Sequence, residues 1–410
     1  MKVYIETLGC PKNFNDSQMA AGILEKNNHM MVESPEAADA IIVNTCGFIN
    51  DAKTESIDRI FEMAQFKAEG KKLIVSGCLS QRYADELFEE MPEVDAFIGV
   101  NEYEQLPQLL DDLKERQIIR NGCDLDILES SVRKLDENPY TATIKIAEGC
   151  NNICAYCIIP KIRGKYRSKR EEDIIREAEM LAKAGCKELI LIAQDVTYYG
   201  KDLYGEYRLA QLLRKLCRIE GIVWIRLMYC YEDRITDELI ETIASEEKIC
   251  NYLDIPIQHA SNHVLKAMNR RSTAASIDQT VKNLKKSIPD IHIRTTLIVG
   301  FPGETEEDYE ELIDFVERER FARLGVFAYS QEENTAAGEM ENQIDEEIKE
   351  QRLDGIMRRQ LDISLELNRE KIGSTLEVLV EEEDAAGSYI GRTRYDAPEI
   401  DNSVIFTSDR

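Results

Sequence analysis

The chain has 410 residues and a formal net charge of −27. That length allows two or three domains, each with its own core, and the charge repels a polyphosphate backbone while favouring a basic partner. No apolar run approaches the length needed to cross a bilayer, and the start, Met1-Lys2-Val3-Tyr4-Ile5-Glu6, lacks the long apolar segment of a signal peptide. The reading is therefore a cytoplasmic protein with no membrane partner. Its eleven cysteines, an odd count, point to free thiols and metal ligation rather than a disulfide framework.

From the N-terminus, short apolar strands at 2–6, 40–44, 72–75 and 96–98 alternate with amphipathic helices near 15–27, 51–68, 80–90 and 102–116. Such alternation predicts a doubly wound parallel sheet with helices on both faces, its ligands bound beyond the carboxyl ends of the strands. Cys10, Cys46 and Cys78 fall at three of those ends, each with a glycine beside it (Gly9, Gly47, Gly77). They are expected to converge, and the glycines to permit the close backbone approach of a bulky cluster. The polar stretch 121–139, with Cys123, reads as a linker.

From Thr141 six more strand candidates (141–147, 188–193, 223–228, 252–257, 291–299, 324–329) alternate with helices, as in a TIM-like barrel left open by two missing units. After the first comes Cys150-Asn151-Asn152-Ile153-Cys154-Ala155-Tyr156-Cys157, three cysteines with neither a histidine nor a fourth cysteine nearby. A structural metal site normally takes four protein ligands. Three thiolates on an iron-sulfur cluster leave one iron open to an amine and a carboxylate, as the methionine end of S-adenosylmethionine (SAM) offers. That spacing is the radical SAM signature.

Other strand ends supply Gln194, Arg226 and His259, and the fifth strand runs into Gly300-Phe301-Pro302-Gly303-Glu304-Thr305. The glycines there would let a planar base lie on the backbone, and Thr305 with Asp308 can cap the next helix. Lys161 to Arg170 is a basic run in an acidic protein, read as a clamp at the site mouth, with Arg163 or Arg167 pairing with a carboxylate. Cys186, Cys217 and Cys250 read as core thiols. After a charged helix over 345–371, strands at 375–380, 389–393 and 404–406 form a small β module. Its nine acidic residues against three basic ones predict docking of a basic protein.

A three-cysteine sheet domain (1–130), a radical SAM domain (138–371) and a terminal β module (372–410), in that order, resemble the methylthiotransferase family. Leu8-Gly9-Cys10-Pro11-Lys12-Asn13, Cys157-Ile158-Ile159-Pro160-Lys161-Ile162-Arg163-Gly164 and Gly391-Arg392-Thr393-Arg394-Tyr395-Asp396-Ala397-Pro398-Glu399-Ile400 carry the likeness to the branch that modifies the small-subunit ribosomal protein numbered twelve. The transfer-RNA branch, of the MiaB type, reads Gly-Cys-Gln-Met-Asn where this chain has Pro11-Lys12-Asn13. The last module resembles a TRAM domain, although the chain stops at Arg410, short of where that small barrel is expected to close.

The resemblance implies a 4Fe-4S cluster on Cys150, Cys154 and Cys157 that binds SAM, and an auxiliary 4Fe-4S cluster on Cys10, Cys46 and Cys78 that supplies sulfur. It implies a 5′-deoxyadenosyl radical that takes hydrogen from the β-carbon of an aspartate, with a second SAM methylating the sulfur. It also implies that Tyr156, Ile158, Gly300, Pro302, Gly303 and Glu304 frame SAM, with Gln194 and Arg226 near its amino-acid end. The implied partners are the ribosomal protein and an electron donor such as flavodoxin or ferredoxin, with nucleic acid secondary. The competing readings are a transfer-RNA methylthiotransferase acting on an adenosine and a non-catalytic iron-sulfur scaffold for ribosome assembly. A cobalamin-dependent radical enzyme is disfavoured, since no Asp-x-His-x-x-Gly loop is present and His29 is the sole histidine before His259.

Overall fold

In a computed structural model, residues 1–67, 70–120, 132–135, 140–385 and 387–408 are described. The linker thiol Cys123, and Asp409 and Arg410 of the terminal module, lie outside them. The chain forms two compact units whose boundary does not follow chain order: Met1–Pro139, Thr143–Asn152 and Ile158–Glu177 make the first, and Tyr140–Ala142, Ile153–Cys157 and Ala178–Arg410 the second.

The first unit is built on β1 (Lys2–Thr7), β2 (Met30–Met31), β3 (Ala40–Thr45), β4 (Lys72–Gly77), β5 (Ala96–Ile98) and β6 (Gln117–Ile119), in the order β2-β1-β3-β4-β5-β6. All five pairings are parallel. Every residue of β3 is buried, as a continuous Ile41-Ile42-Val43 run in a sheet covered on both faces requires. Alternate residues feed two separate cores. Ile42 and Ile74 pack with Met19, Ile23 and Leu106 on one face, and Ile41, Val43, Leu73 and Val75 with Ile60 and Leu79 on the other. The doubly wound reading holds, and β2 and β6 extend it at its edges, where two- and three-residue strands leave too little apolar pattern to read. Part of the expected linker packs on this unit, where Arg133 donates to Glu177 at 2.9 Å.

The second unit carries β10 (Glu188–Ile192), β11 (Trp224–Leu227), β12 (Ile249–Asp254), β13 (His292–Val299) and β14 (Arg323–Ala328), all paired in parallel. The sheet runs β14-β13-β12-β11-β10-β7, with β7 (Thr141–Lys145) contributing Thr141 and Ala142 to this unit. It is the expected open six-stranded (β/α) architecture. Helix Glu306–Glu319 starts on a capping box between Thr305 and Asp308, as read from the sequence.

The last three strands, β15 (Val378–Ala385), β16 (Ser388–Thr393) and β17 (Val404–Thr407), form an antiparallel sheet in the second unit. The segment after β16 turns inward to the strand-start end of the larger sheet. Ala397 joins the core of Ile190, Trp224, Cys250 and Tyr252. Glu188 accepts from Arg226 at 2.7 Å and from Arg392 at 2.5 Å, and Tyr252 donates to Asp401 at 2.7 Å. Arg323 pairs with Asp396 and Trp224 with Glu377. Four acidic residues counted toward a docking surface, Glu377, Glu381, Asp396 and Asp401, are thus engaged inside the unit. Glu377 and Glu381 remain exposed despite these bonds, as do the run Glu382-Glu383-Asp384 on β15 and Glu399.

Candidate functional site

Cys10, Cys46 and Cys78 follow β1, β3 and β4, three adjacent strands, and parallel adjacency brings their ends together. Asn13 ties the loops, donating from Nδ2 to the carbonyls of Leu8 at 2.9 Å and Thr45 at 3.0 Å. Asn44 returns a bond to the Asn13 carbonyl at 3.0 Å. The thiols lie within electrostatic reach of one another. Burial pushes Cys78 up to about 12 and also raises Cys46, with the charges of Cys10 and Cys46 adding at Cys78 and the Arg163 guanidinium opposing.

The glycines serve a different purpose from the one read in the sequence. A Cβ on Gly9, at φ +90°, would stand 2.8 Å from the Cys46 Cβ, and one on Gly77 would stand 2.4 Å from Asn44 Oδ1. They admit neighbouring loops rather than leave space for a cluster.

Arg163 is corrected most sharply. Only 1% exposed, it lies in a buried network instead of at a mouth. Its Nη1 donates to Asp16 at 3.1 Å and Glu148 at 3.1 Å, and its Nη2 to Asn13 Oδ1 at 2.7 Å and the Cys78 sulfur at 3.4 Å. Lys145 closes the network on Asp16 and on Glu148, the latter at 2.7 Å. Burial would raise the Glu148 carboxyl, but Lys145 and Arg163 outweigh it and hold it well below the usual range. Lys169, also in the basic run, pairs with Glu177. Arg167 keeps a buried Nε with no hydrogen-bond partner among the described residues. Ile158 packs with Cys78, Val100 and Ile162.

The cysteine loop begins in a two-stranded hairpin the sequence reading missed, β8 (Ala147–Glu148) against β9 (Arg167–Ser168). In the first unit the Cys150 amide donates to the Gly164 carbonyl at 3.1 Å. In the second, the Cys154 sulfur lies 3.2 Å from the Tyr231 hydroxyl, and the Cys157 amide donates to the Cys154 carbonyl at 3.1 Å. Arg270, buried, stacks 3.9 Å over the Tyr231 ring and forks onto Glu232 at 2.7 and 2.6 Å. Burial, with the neighbouring Cys154, raises the Tyr156 hydroxyl well above its ordinary value, and burial also raises Tyr231. Tyr156 packs against Ala155, Met268 and Phe301. Sequence reasoning passed over Tyr231, Glu232 and Arg270; the nearest signal was the polar end of the third barrel strand.

The remaining expected SAM contacts divide. Gln194 Nε2 is buried with no partner among the described residues, an orphan that suits a polar ligand. Tyr229 and Gln258, at the ends of β11 and β12, hold left-handed backbone at φ +61° and +75°, strain that clusters at functional sites. Arg226 is not brought to the cysteine loop: it is fully buried, bonded to Glu188 and to the Arg394 carbonyl at 3.1 Å. Gly300 at φ +70° gives the space on its Cβ side to Lys349, whose Cγ an added Cβ would meet at 2.3 Å. Gly303 is open in comparison, with Asn342 no nearer than 3.8 Å. Buried Pro302 lies between them, and Glu304 braces the turn, taking Arg352 at 2.8 Å and the Phe301 amide at 3.3 Å.

Among the described residues no group of three His, Cys, Asp or Glu side chains is arranged to hold a single metal ion. A cluster of several irons separates its thiolates more widely than one ion does. Within the first unit, Cys10, Cys46 and Cys78 at adjacent strand ends, with Arg163 donating to the Cys78 sulfur and no fourth Cys or His ligand grouped with them among the described residues, suit such a cluster.

The description Uncharacterized protein family UPF0004 matches residues 2–99, the radical SAM superfamily residues 144–316, and a TRAM domain residues 372–410. A ribosomal protein uS12 methylthiotransferase RimO of Clostridioides difficile is 51% identical over 412 residues, covering 100% of this chain and 93% of that protein. Its namesake from Desulforamulus reducens is 51% identical over 412 residues, covering 98% and 93%. Among solved structures, the radical SAM methyltransferase TsrM of Kitasatospora setae aligns with TM-score 0.57 at 12% identity over 82% of this chain and 73% of that one. The radical SAM enzyme OxsB aligns with TM-score 0.57 at 13% identity over 88% and 56%. These two likenesses are of fold. Among the described residues no helix is long and apolar enough to cross a membrane.

Proposed function

Because the chain belongs to the RimO family of ribosomal protein uS12 methylthiotransferases, we propose that it inserts a methylthio group at the β-carbon of an aspartate of uS12. It is a radical SAM enzyme and works with SAM and 4Fe-4S clusters. The observation that carries the finer reading is the pairing of two thiol trios in one chain, Cys150-x3-Cys154-x2-Cys157 on a single loop and Cys10, Cys46 and Cys78 on three adjacent strand ends.

In this reading Cys150, Cys154 and Cys157 hold the SAM cluster and Cys10, Cys46 and Cys78 the auxiliary one. When bound, the first supplies with SAM a 5′-deoxyadenosyl radical, and the second supplies sulfur. The chain's own residues orient and screen. Tyr231 bonds the Cys154 sulfur, while Arg270 and Glu232 hold that ring from behind. Gln194 offers its unpaired amide to the polar end of SAM, with Tyr156, Pro302 and Gly303 around the nucleoside and Glu304 bracing their turn. Arg167 is left as the residue to fork the substrate carboxylate. The exposed Glu382-Glu383-Asp384 strand attracts the basic ribosomal protein. A ribosomal substrate implies a cytoplasmic reaction, with flavodoxin or ferredoxin as electron donor.

The test is anaerobic reconstitution with iron and sulfide, then incubation with SAM, a reductant and either uS12 or transfer RNA, with products read by mass. A methylthio group on a uS12 aspartate peptide is expected. Modification of adenosine alone overturns the reading, and failure to form 5′-deoxyadenosine returns the scaffold alternative.

A further inference from the structure

Arg163 has no part in the function as set out above, yet it is among the most completely buried large side chains of the molecule. Its fork is held on one side by carboxylates. Asp16 and Glu148 take Nη1, and Lys145 balances the same two carboxylates, so two cations and two anions neutralise one another without calling on a thiol. The guanidinium plane is thereby fixed whether or not the trio is loaded. Its other edge then has a set direction, and Nη2 points donors at Asn13 Oδ1 and, at 3.4 Å, at the Cys78 sulfur.

Asn13 is itself the side chain that ties the Leu8 and Thr45 loops together. Arg163 therefore touches both a thiol of the trio and the residue that gathers the trio's loops. The next residue adds a second link, since the Gly164 carbonyl accepts the Cys150 amide at 3.1 Å. Two consecutive residues thus contact Cys78 through a side chain and Cys150 through the backbone, all within the first unit.

We propose that Arg163 is a positioning residue for the auxiliary cluster, donating a charge-assisted hydrogen bond to the Cys78 thiolate and keeping the Cys150 segment in register with the sulfur-delivering trio. This rests on the reading that Cys10, Cys46 and Cys78 hold a cluster. A cation and an N–H···S bond at a ligand sulfur favour the more negative, reduced cluster and so raise its potential. Lysine keeps the charge, but as a single point it cannot serve Asp16, Glu148, Asn13 and Cys78 together.

The experiment uses the full chain carrying Cys150→Ala, Cys154→Ala and Cys157→Ala, reconstituted anaerobically so that only the auxiliary cluster is read. Redox titration by electron paramagnetic resonance gives its midpoint, and iron release to a chelator gives its retention. Arg163→Gln is expected to lower the midpoint and speed iron loss several-fold, with Arg163→Lys intermediate. Midpoints equal to the parent's in both variants overturn the proposal while leaving the assigned function standing. Should Arg163→Gln not fold, an unchanged midpoint in Arg163→Lys overturns it alone. A parent that assembles no cluster overturns the auxiliary-cluster reading and this proposal with it.

Discussion

The Tyr231 hydroxyl lies 3.2 Å from the Cys154 sulfur, and Arg270 covers the face of the same ring. A hydroxyl whose pKa burial raises stays protonated and can donate to a ligand thiolate, which favours the reduced cluster. Tyr231→Phe keeps the ring under Arg270 and removes the donor. With one hydrogen bond worth about 1 kcal/mol, 5′-deoxyadenosine formation should fall about three- to tenfold at fixed reductant. An unchanged rate removes Tyr231 from the cluster's surroundings.

Gly300 and Gly303 share a turn and both have positive φ, yet an added methyl meets different surroundings. Gly300→Ala drives a Cβ into the Lys349 stem, for a cost of about 2–4 kcal/mol, whereas Gly303→Ala bears the backbone strain alone, about 1 kcal/mol. Urea midpoints of the two variants should differ in that order. Since Gly303 is the open position, its variant should be the one that weakens SAM binding most relative to its loss of stability.

Glu188 joins Arg226 to Arg392 in a site where neither partner has much access to water. Glu188→Gln leaves two buried guanidinium groups short of an anion and should cost about 3–5 kcal/mol in urea unfolding at pH 7. Burial works to raise the Glu188 pKa, but the two arginines outweigh it and hold it below its ordinary value. A depressed carboxyl contributes its stability above the unfolded pKa and loses it as pH falls through the folded one, so wild type and variant should converge in acid.

His292 lies stacked 4.2 Å from Tyr395, and burial, with Lys371 and Arg323 nearby, lowers its pKa to about 4. The unfolded chain takes up its proton near pH 6.5, so this group's contribution is complete above that pH and is lost between 6.5 and about 4. His292→Phe keeps the stack and should flatten the Tm profile in that window. A slope equal to wild type assigns the acid sensitivity elsewhere.

Glu382, Glu383 and Asp384 form an exposed acidic run on β15 beside Glu381, which pairs with Arg392. Changing all three to Gln should raise KM for uS12 several-fold and weaken the dependence of KM on salt, with 5′-deoxyadenosine formation in the absence of uS12 unchanged. Equal KM values place docking on another surface.

Much of the framework was legible because parallel β/α architecture leaves a strong mark on sequence: β3 is a buried apolar run, and Cys150, Cys154 and Cys157 lie within eight residues. The convergence of Cys10, Cys46 and Cys78 followed from strand ends alone. What sequence could not convey was the assignment of charges. Arg163 meets Asp16 across 147 positions and Arg392 meets Glu188 across 204. Before folding, Arg163 looks the same as exposed Lys161. The acidic count of the terminal module overstated its free charge for the same reason, since Asp396 and Asp401 are paired inside the unit. Glycines were read as space, when at Gly9 and Gly300 the space is already filled by Cys46 and Lys349.

The short hairpin between Ala147–Glu148 and Arg167–Ser168 joins the two ends of the segment that bears Cys150, Cys154 and Cys157. Closing a loop costs configurational entropy that grows with the logarithm of its length. Here that cost falls within the folding of the polypeptide, so on the proposed assignment of Cys150, Cys154 and Cys157 the arriving iron and sulfide would meet a ring already closed. Metal affinity is then free to reflect bond formation at the thiolates, and loss of the cluster to oxygen need not unravel the segment that must receive the next one.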